Sequence, residues 1–254
     1  MNHDEAIELQ RRGLEAFFRV MATAADGSRL AEYPGVVAAI VPASPRRSFP
    51  NSVVYESAEE LSAALDPLAV EYRHAGVEAW TVWVPEEERA AQGLLEAAGH
   101  RLDVAPAAMA IELDDLPDPD PGDLDWDAEA TADEVGRINE LAYGNAEGFA
   151  AAFTRPSDAH LHLYRARVDA ETAAVAGVLD VGEDALLTFV ATHPAHRGEG
   201  FARRLSHVAV AEARDRGCRT SSLQASQLGR PVYDRLGYQA FGTIGMWERR
   251  SESE

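Results

Sequence analysis

The residues whose types and spacing most clearly indicate a chemical role lie in the segment 190–205. There an apolar stretch is followed by a glycine-rich turn and then by a helical pattern. The apolar, β-branched stretch 185–191 predicts a buried strand. The apolar residues after the turn recur on one helical face: Phe201, Leu205, Val208 and Ala209. The first amides of a helix lack partners and carry partial positive charge, and glycines at Gly198 and Gly200 leave room for an anion to approach them. The turn therefore predicts a pyrophosphate-binding site.

This turn, Pro194-Ala-His-Arg-Gly-Glu-Gly200, resembles the acyl-CoA signature of the GNAT superfamily of N-acetyltransferases. A second motif, Gly229-Arg-Pro-Val-Tyr-Asp-Arg-Leu-Gly-Tyr238, resembles the family's closing helix and its Leu-Gly-aromatic end. A strand predicted at 219–225 separates the two motifs, in the family's order. The resemblance implies an α/β GNAT fold, in which helices flank a mixed, mostly antiparallel sheet. The alternative is an ordinary strand–helix loop whose glycines only make a tight turn.

The resemblance also implies roles for individual residues. The acyl-CoA pyrophosphate would contact the amides of six consecutive residues: Arg197, Gly198, Glu199, Gly200, Phe201 and Ala202. The backbone of Val190, Ala191 and Thr192 would pair with the pantetheine, and one of its N–H groups would polarise the thioester carbonyl. The slot for the pantetheine is expected between Val190-Ala191 and Leu223-Gln224. Ser226 stands where many relatives have an asparagine that contacts CoA.

Tyr233 matches the family position whose hydroxyl reaches the CoA sulfur. A tyrosine with an ordinary pKa near 10 stays protonated at neutral pH and can protonate a departing thiolate. A core aromatic on an amphipathic helix is the competing interpretation.

The general base is less well defined by the sequence. Glu183 is the candidate, in the acidic turn before the predicted strand, with Asp180, Asp184 and His193 nearby and deprotonation through water as the alternative. Glu147 follows the first predicted helix of the second half, where it could attract an amine. No metal site is predicted, because the spacing of the histidines gives no ligand set.

Composition narrows the classes of partner. The 254-residue chain has a formal net charge of −20, and all 23 of its Lys/Arg residues are arginine. This charge disfavours nucleic acid and anionic membranes and suits an amine acceptor. A single cysteine, Cys218, excludes an intrachain disulfide and fits a reducing compartment. Without an apparent secretory signal or a membrane-spanning apolar run, the expected location is cytoplasmic.

The segment 114–123 is rich in proline and aspartate and predicts a linker between two domains. Residues 124–254 would form the catalytic GNAT domain. Residues 1–113 follow a similar order of elements and predict either a degenerate GNAT-like domain, giving tandem halves, or an unrelated α/β structural domain. In the first half, the capping sequence Ser57-Ala-Glu-Glu60 replaces the glycine turn and Leu95 replaces Tyr233.

These observations favour an acetyl-CoA-dependent N-acyltransferase that acts on a small molecule or peptide amine by direct attack. Two alternatives remain open: a tandem GNAT similar to mycothiol synthase, and a non-catalytic acyl-CoA sensor or interaction module. The sequence predicts neither the acceptor nor the oligomeric state.

Overall fold

Strands from both halves of the chain join in one twelve-stranded sheet. A computed structural model describes residues 1–144, 148–156 and 158–251. The helices are α1 (His3–Met21), α2 (Ala58–His74), α3 (Arg89–Ala97), α4 (Ala132–Tyr143), α5 (Phe149–Ala152), α6 (Phe201–Arg216) and α7 (Arg230–Asp234). The strands are β1 (Arg29–Tyr33), β2 (Val36–Ile40), β3 (Ser52–Tyr55), β4 (Ala79–Pro85), β5 (Arg101–Val104), β6 (Ala107–Glu112), β7 (Asp125–Asp127), β8 (Leu161–Val168), β9 (Glu171–Val181), β10 (Asp184–Thr192), β11 (Thr220–Ala225) and β12 (Gln239–Arg250).

The strand order is β1-β2-β3-β4-β12-β6-β11-β10-β9-β8-β7, and β5 pairs with β12 outside this path. Among the described strands, β3–β4 and β10–β11 pair in parallel and the remaining pairs are antiparallel. The mixed, mostly antiparallel sheet predicted from the sequence is therefore present. The parallel pair β3–β4 lies in the first half of the chain and the parallel pair β10–β11 lies in the second.

The two halves exchange strands at the centre of the sheet. Strand β6 precedes the predicted linker, yet it lies between β11 and β12 of the second half. Strand β12 pairs with β6 at its start and with β4 of the first half from residue 244 onward. Strands from before and after the segment 114–123 are hydrogen-bonded to each other in this sheet. The separation into two domains at 114–123 therefore stays a prediction from the sequence.

The segment 114–123 is anchored along α6. The carbonyl of Pro117 lies 2.7 Å from the His207 ring, and Arg214 donates to the Leu116 carbonyl and to Asp118. Arg204 makes a 2.7 Å hydrogen bond to the Asp123 carboxylate. The aspartates and prolines that predict a linker thus form a segment fastened to the helix by its basic side chains.

Cleavage within 118–120 is expected to leave the two halves associated. Strand β6 stays hydrogen-bonded to β11 and β12 after the cut, and the apolar core between the halves is untouched. A specific protease site inserted there, followed by size-exclusion chromatography without denaturant, measures this. Elution as two separate fragments would contradict the shared sheet. Residues 124–254 produced alone should instead aggregate, because without β6 the β11 and β12 edges are open.

The halves also share an apolar core under α1. Seven aromatic rings from both sides of the segment 114–123 pack in one cluster: Phe17, Phe18, Phe49, Trp83, Phe149, Phe153 and Phe189. The centroids of Phe17 and Phe189, one from each half, lie 5.2 Å apart. Trp80 lies outside this cluster and stacks on Tyr72 within the first half. The cluster binds the first half to the face of the sheet that carries α4 and α5.

A buried histidine lies in the core of the first half. His100 is 2% exposed, its ring meets Trp80 edge-on at 4.5 Å, and neither ring nitrogen has a hydrogen-bond partner in the described ranges. Burial, reinforced by the charge of Arg249, lowers the pKa of His100 to about 4. The folded chain therefore holds this ring neutral.

Acid should destabilise the protein through His100. The unfolded state takes up a proton near pH 6.5, while the folded state resists until about pH 4. The free energy of unfolding is thus unaffected by this group above pH 7 and falls between pH 6.5 and 4 by about 3 kcal/mol. Urea titrations at several pH values should show this loss in the wild type and a shallower one in His100→Phe. Parallel pH profiles of the two proteins would exclude the effect.

Candidate functional site

The glycine-rich turn connects β10 to α6 in an open left-handed geometry. Gly198 and Gly200 both have φ +83°, and no atom of the described residues lies within 4 Å of a Cβ built at either position. Such φ values favour glycine, which lacks a Cβ to clash with the backbone. Gly200 directly precedes α6, which is 16 residues long. The turn thus leaves open space where the helix begins.

The amides of this turn are available for a ligand. The Arg204 N–H makes the first bond of the helix, to the Gly200 carbonyl at 3.0 Å. Within the described ranges, the backbone amides of residues 197–203 donate no hydrogen bond. Unpaired amides at the start of a long helix form an anion-binding geometry. The six residues predicted to contact the pyrophosphate are therefore brought together.

Strands β10 and β11 part next to this turn. Their parallel pairing covers Asp184–Leu186 against residues 220–222 and goes no further in the described strands. On its other side β10 stays paired with β9 as far as Thr192. Residues 190–192 thus keep one neighbouring strand and have an open edge toward β11, as expected for the pantetheine slot. Thr192 adds a buried hydroxyl that has no hydrogen-bond partner among the described residues.

A bulge in β10 shapes the same edge. The register against β9 shifts between Thr188 and Ala191, and Phe189 has φ +54°, a costly conformation for an aromatic residue. The amide of Asn139 on α4 donates to the Phe189 carbonyl at 3.4 Å. Sequence reasoning missed Asn139, although a buried polar residue on the apolar face of a predicted helix was a usable signal.

Tyr233 lies on α7 and is 8% exposed. Burial, together with the nearby hydroxyls of Tyr143 and Tyr238, raises its pKa far above the usual value, so the phenol keeps its proton. The Tyr238 ring lies 5.9 Å away, and its own hydroxyl bonds to Ser221 at 2.7 Å. The Tyr233 hydroxyl has no such partner in the part of the chain that the structure describes.

Tyr143, at the end of α4, is a further residue of the site. Its hydroxyl lies 3.5 Å from the Val190 carbonyl, and it is close enough to Tyr233 to affect the pKa of that residue. Arg197 bonds to the Ala142 carbonyl, so the turn is fastened to the same helix end. The sequence analysis named only Glu147 in this region, and Glu147 lies outside the described residues.

Ser226 connects β11 to α7. Its hydroxyl accepts the Gly229 amide at 3.1 Å, so it stabilises the turn that carries Tyr233. A serine hydroxyl can still donate one hydrogen bond while it accepts another. Its predicted contact with CoA remains a prediction.

The structure does not bring Glu183 to the other site residues. Glu183 precedes β10, whereas residues 190–192 end it, and an extended strand of this length spans roughly 25 Å. The Glu183 carbonyl accepts the amides of Arg219 and Thr220 at the closed end of the β10–β11 pair. This placement argues against the interpretation of Glu183 as the base. The acidic turn was near the motif in sequence but at the wrong end of the strand.

Among the described residues, no group of three or more His, Cys, Asp and Glu side chains is arranged to hold a metal ion. No described helix is both long and apolar enough to cross a bilayer.

Residues 157–241 match the family model described as an acetyltransferase (GNAT) domain. No curated protein matches the sequence. A GCN5-related N-acetyltransferase from Kribbella flavida is 19% identical, with 96% of each chain covered and a TM-score of 0.70.

Two further solved structures share the fold over both halves. A GCN5-related N-acetyltransferase from Sphaerobacter thermophilus is 17% identical, covers 94% of this chain and 93% of its own, and has a TM-score of 0.58. A tandem GNAT protein from the clavulanic acid biosynthesis pathway is 14% identical, covers 95% and 88%, and has a TM-score of 0.60. Residues 157–241 are thus similar to a GNAT acetyltransferase domain, and the fold of the chain is the GNAT fold predicted from the sequence.

Proposed function

We propose that this protein is an acetyl-CoA-dependent N-acyltransferase whose second half transfers an acetyl group to an amine of a small molecule or peptide by direct attack. The observation that carries the proposal is the open turn at Gly198 and Gly200 beside the parting of β10 and β11. Unpaired amides suit a pyrophosphate, and an open strand edge suits the amide-containing pantetheine arm. The two features meet at the end of β10.

The transfer needs one polarised carbonyl and two proton movements. A backbone N–H from residues 190–192 would polarise the thioester carbonyl. The amine nitrogen attacks the carbonyl carbon, the carbon–sulfur bond breaks, and the Tyr233 hydroxyl protonates the leaving thiolate. The proton lost by the amine passes to water, since Glu183 lies at the far end of β10. Tyr233 recovers its proton from solvent, so the turnover is balanced.

The first half is proposed to bind no acyl-CoA. The Ser57 hydroxyl accepts the Glu60 amide and also bonds to the Glu60 carboxylate, so the start of α2 is capped by its own side chains. Glu59 and Glu60 place negative charge where an anion would approach. Leu95, at the position that corresponds to Tyr233, is fully buried and carries no proton to donate.

A titration with acetyl-CoA should therefore give one site per chain. Isothermal calorimetry on the full-length protein measures this number directly. Two sites would mean that the first half retains a binding turn, and would favour the mycothiol-synthase-like alternative that the tandem fold leaves open.

The function itself is tested by following free thiol release from acetyl-CoA over a panel of amines, with a blank that lacks the amine. Amine-dependent release supports transfer. Binding of acetyl-CoA without release for any amine would favour the non-catalytic sensor.

A further inference from the structure

The first half contains a cavity of about 240 Å³ between α1 and the ends of β3 and β4. Its floor is apolar and is built by Ile7, Leu14, Val54, Trp83 and Ile244. This volume is equivalent to about eight water molecules at ~30 Å³ each, which fits an organic molecule of about ten non-hydrogen atoms. The proposed transfer reaction makes no use of this space.

The cavity lies where the parallel pair β3–β4 of the first half ends, just as the opening in the second half lies where the parallel pair β10–β11 ends. Strands β3 and β4 pair in parallel only at Ser52 with Thr81 and Val53 with Val82. The next hydrogen bond of this parallel pattern would join the Tyr55 amide to the Trp83 carbonyl, and the pairing ends before it. Both residues line the cavity, so a buried backbone acceptor and a donor face it from opposite walls.

The charge at the cavity mouth is strongly negative. Five lining side chains are carboxylates and one is a cation: Asp4, Glu8, Glu56, Glu87, Glu88 and Arg11. Arg11 is already engaged with Glu8 at 2.7 Å and Glu15 at 3.5 Å. The uncompensated charge excludes a pyrophosphate-bearing cofactor and attracts a cation.

One carboxylate is held in place at the rim. The Tyr55 hydroxyl donates to Glu88 at 2.6 Å, and burial raises the pKa of Tyr55 so that it remains a donor. Glu88 is half-buried, whereas the other four carboxylates are exposed. A half-buried, oriented carboxylate above an apolar floor matches an ammonium group attached to an apolar body.

We propose that this cavity binds a small primary amine with an aromatic or aliphatic body, its ammonium group at Glu88 and its apolar part against Trp83. The Trp83 carbonyl offers a second acceptor to the same ammonium group. The site is separate from the transfer site, because no residue of 190–202 and no residue of α7 lines the cavity. The proposal does not depend on the proposed acetyl transfer.

The test is calorimetric titration of the full-length protein with 2-phenylethylamine, with 3-phenylpropionate as a probe of similar size and opposite charge. We expect saturable binding of the amine, at least tenfold weaker binding of the acid, and weakening of amine binding with added salt. Glu88→Gln should weaken amine binding at least tenfold. The matched control Glu59→Gln, an exposed glutamate on α2 that does not line the cavity, should leave it unchanged.

Two further variants separate this cavity from the transfer site. Glu56→Gln, also on the rim, should weaken amine binding by a smaller factor and guards against misfolding of the Glu88 variant. Tyr233→Phe should have no effect on this binding. The proposal is overturned if the amine does not bind, if the acid binds equally well, or if Glu88→Gln binds the amine like the wild type.

Discussion

Replacing Gly200 with glutamate is expected to abolish acetyl-CoA binding while the chain stays folded. The new carboxylate would occupy the open space at the start of α6, where the pyrophosphate is proposed to bind. Two like charges 4 Å apart at an effective dielectric constant of 20 repel by about 4 kcal/mol, equivalent to roughly 1,000-fold in affinity. Calorimetry should show a loss of at least about 100-fold.

Gly76→Glu provides the matched control. Gly76 follows α2 and, like Gly200, lies in the left-handed region, at φ +71°, with no described atom within 4 Å of a Cβ built there. The substitution therefore introduces the same backbone strain and the same charge in the first half. It should lower stability by an amount similar to Gly200→Glu and leave affinity intact. Unchanged affinity in Gly200→Glu would refute the assignment of the turn.

Tyr233→Phe should retain acetyl-CoA binding and slow turnover by about 100-fold, the lower end of the effect of losing a general acid. The ring remains, so packing against Tyr238 is preserved, and only the hydroxyl that protonates the thiolate is lost. Steady-state kinetics with a good amine acceptor, alongside acetyl-CoA calorimetry, would separate the two effects.

The control for this variant is Tyr238→Phe. Tyr238 is also buried, and its hydroxyl bonds to Ser221, so its loss should cost about 1 kcal/mol of stability without a comparable effect on turnover. Equal slowing by both variants would indicate a packing role for Tyr233. A normal rate in Tyr233→Phe would mean that the thiolate leaves unaided or through water.

Local patterns predicted the parts of the site that are contiguous in sequence. The capping box of Thr131 and Glu134 begins α4, and such a motif can be read from the sequence because it involves only one helical turn. The strand–turn–helix around Gly198 and Gly200 follows for the same reason: its geometry depends on glycine positions that can be read directly.

What could not be predicted depends on pairing between distant segments. The distance of Glu183 from the turn follows from β10 being fully extended, and the position of Tyr143 depends on how α4 packs over β10. Nothing in the pattern of 107–112 distinguishes a strand of the first half from one inserted between β11 and β12. Register and partner choice arise from tertiary packing, which short periodicities do not encode.

The exchange of β6 and β12 has a consequence for the order of folding. The edge of β4 stays unpaired until β12 has been synthesised, because β12 supplies its neighbour late in the chain. The first half therefore cannot complete its sheet during translation of its own residues. Contacts of such long sequence separation slow folding. We expect the halves to fold and unfold as one cooperative unit, with a single denaturation transition for the whole chain.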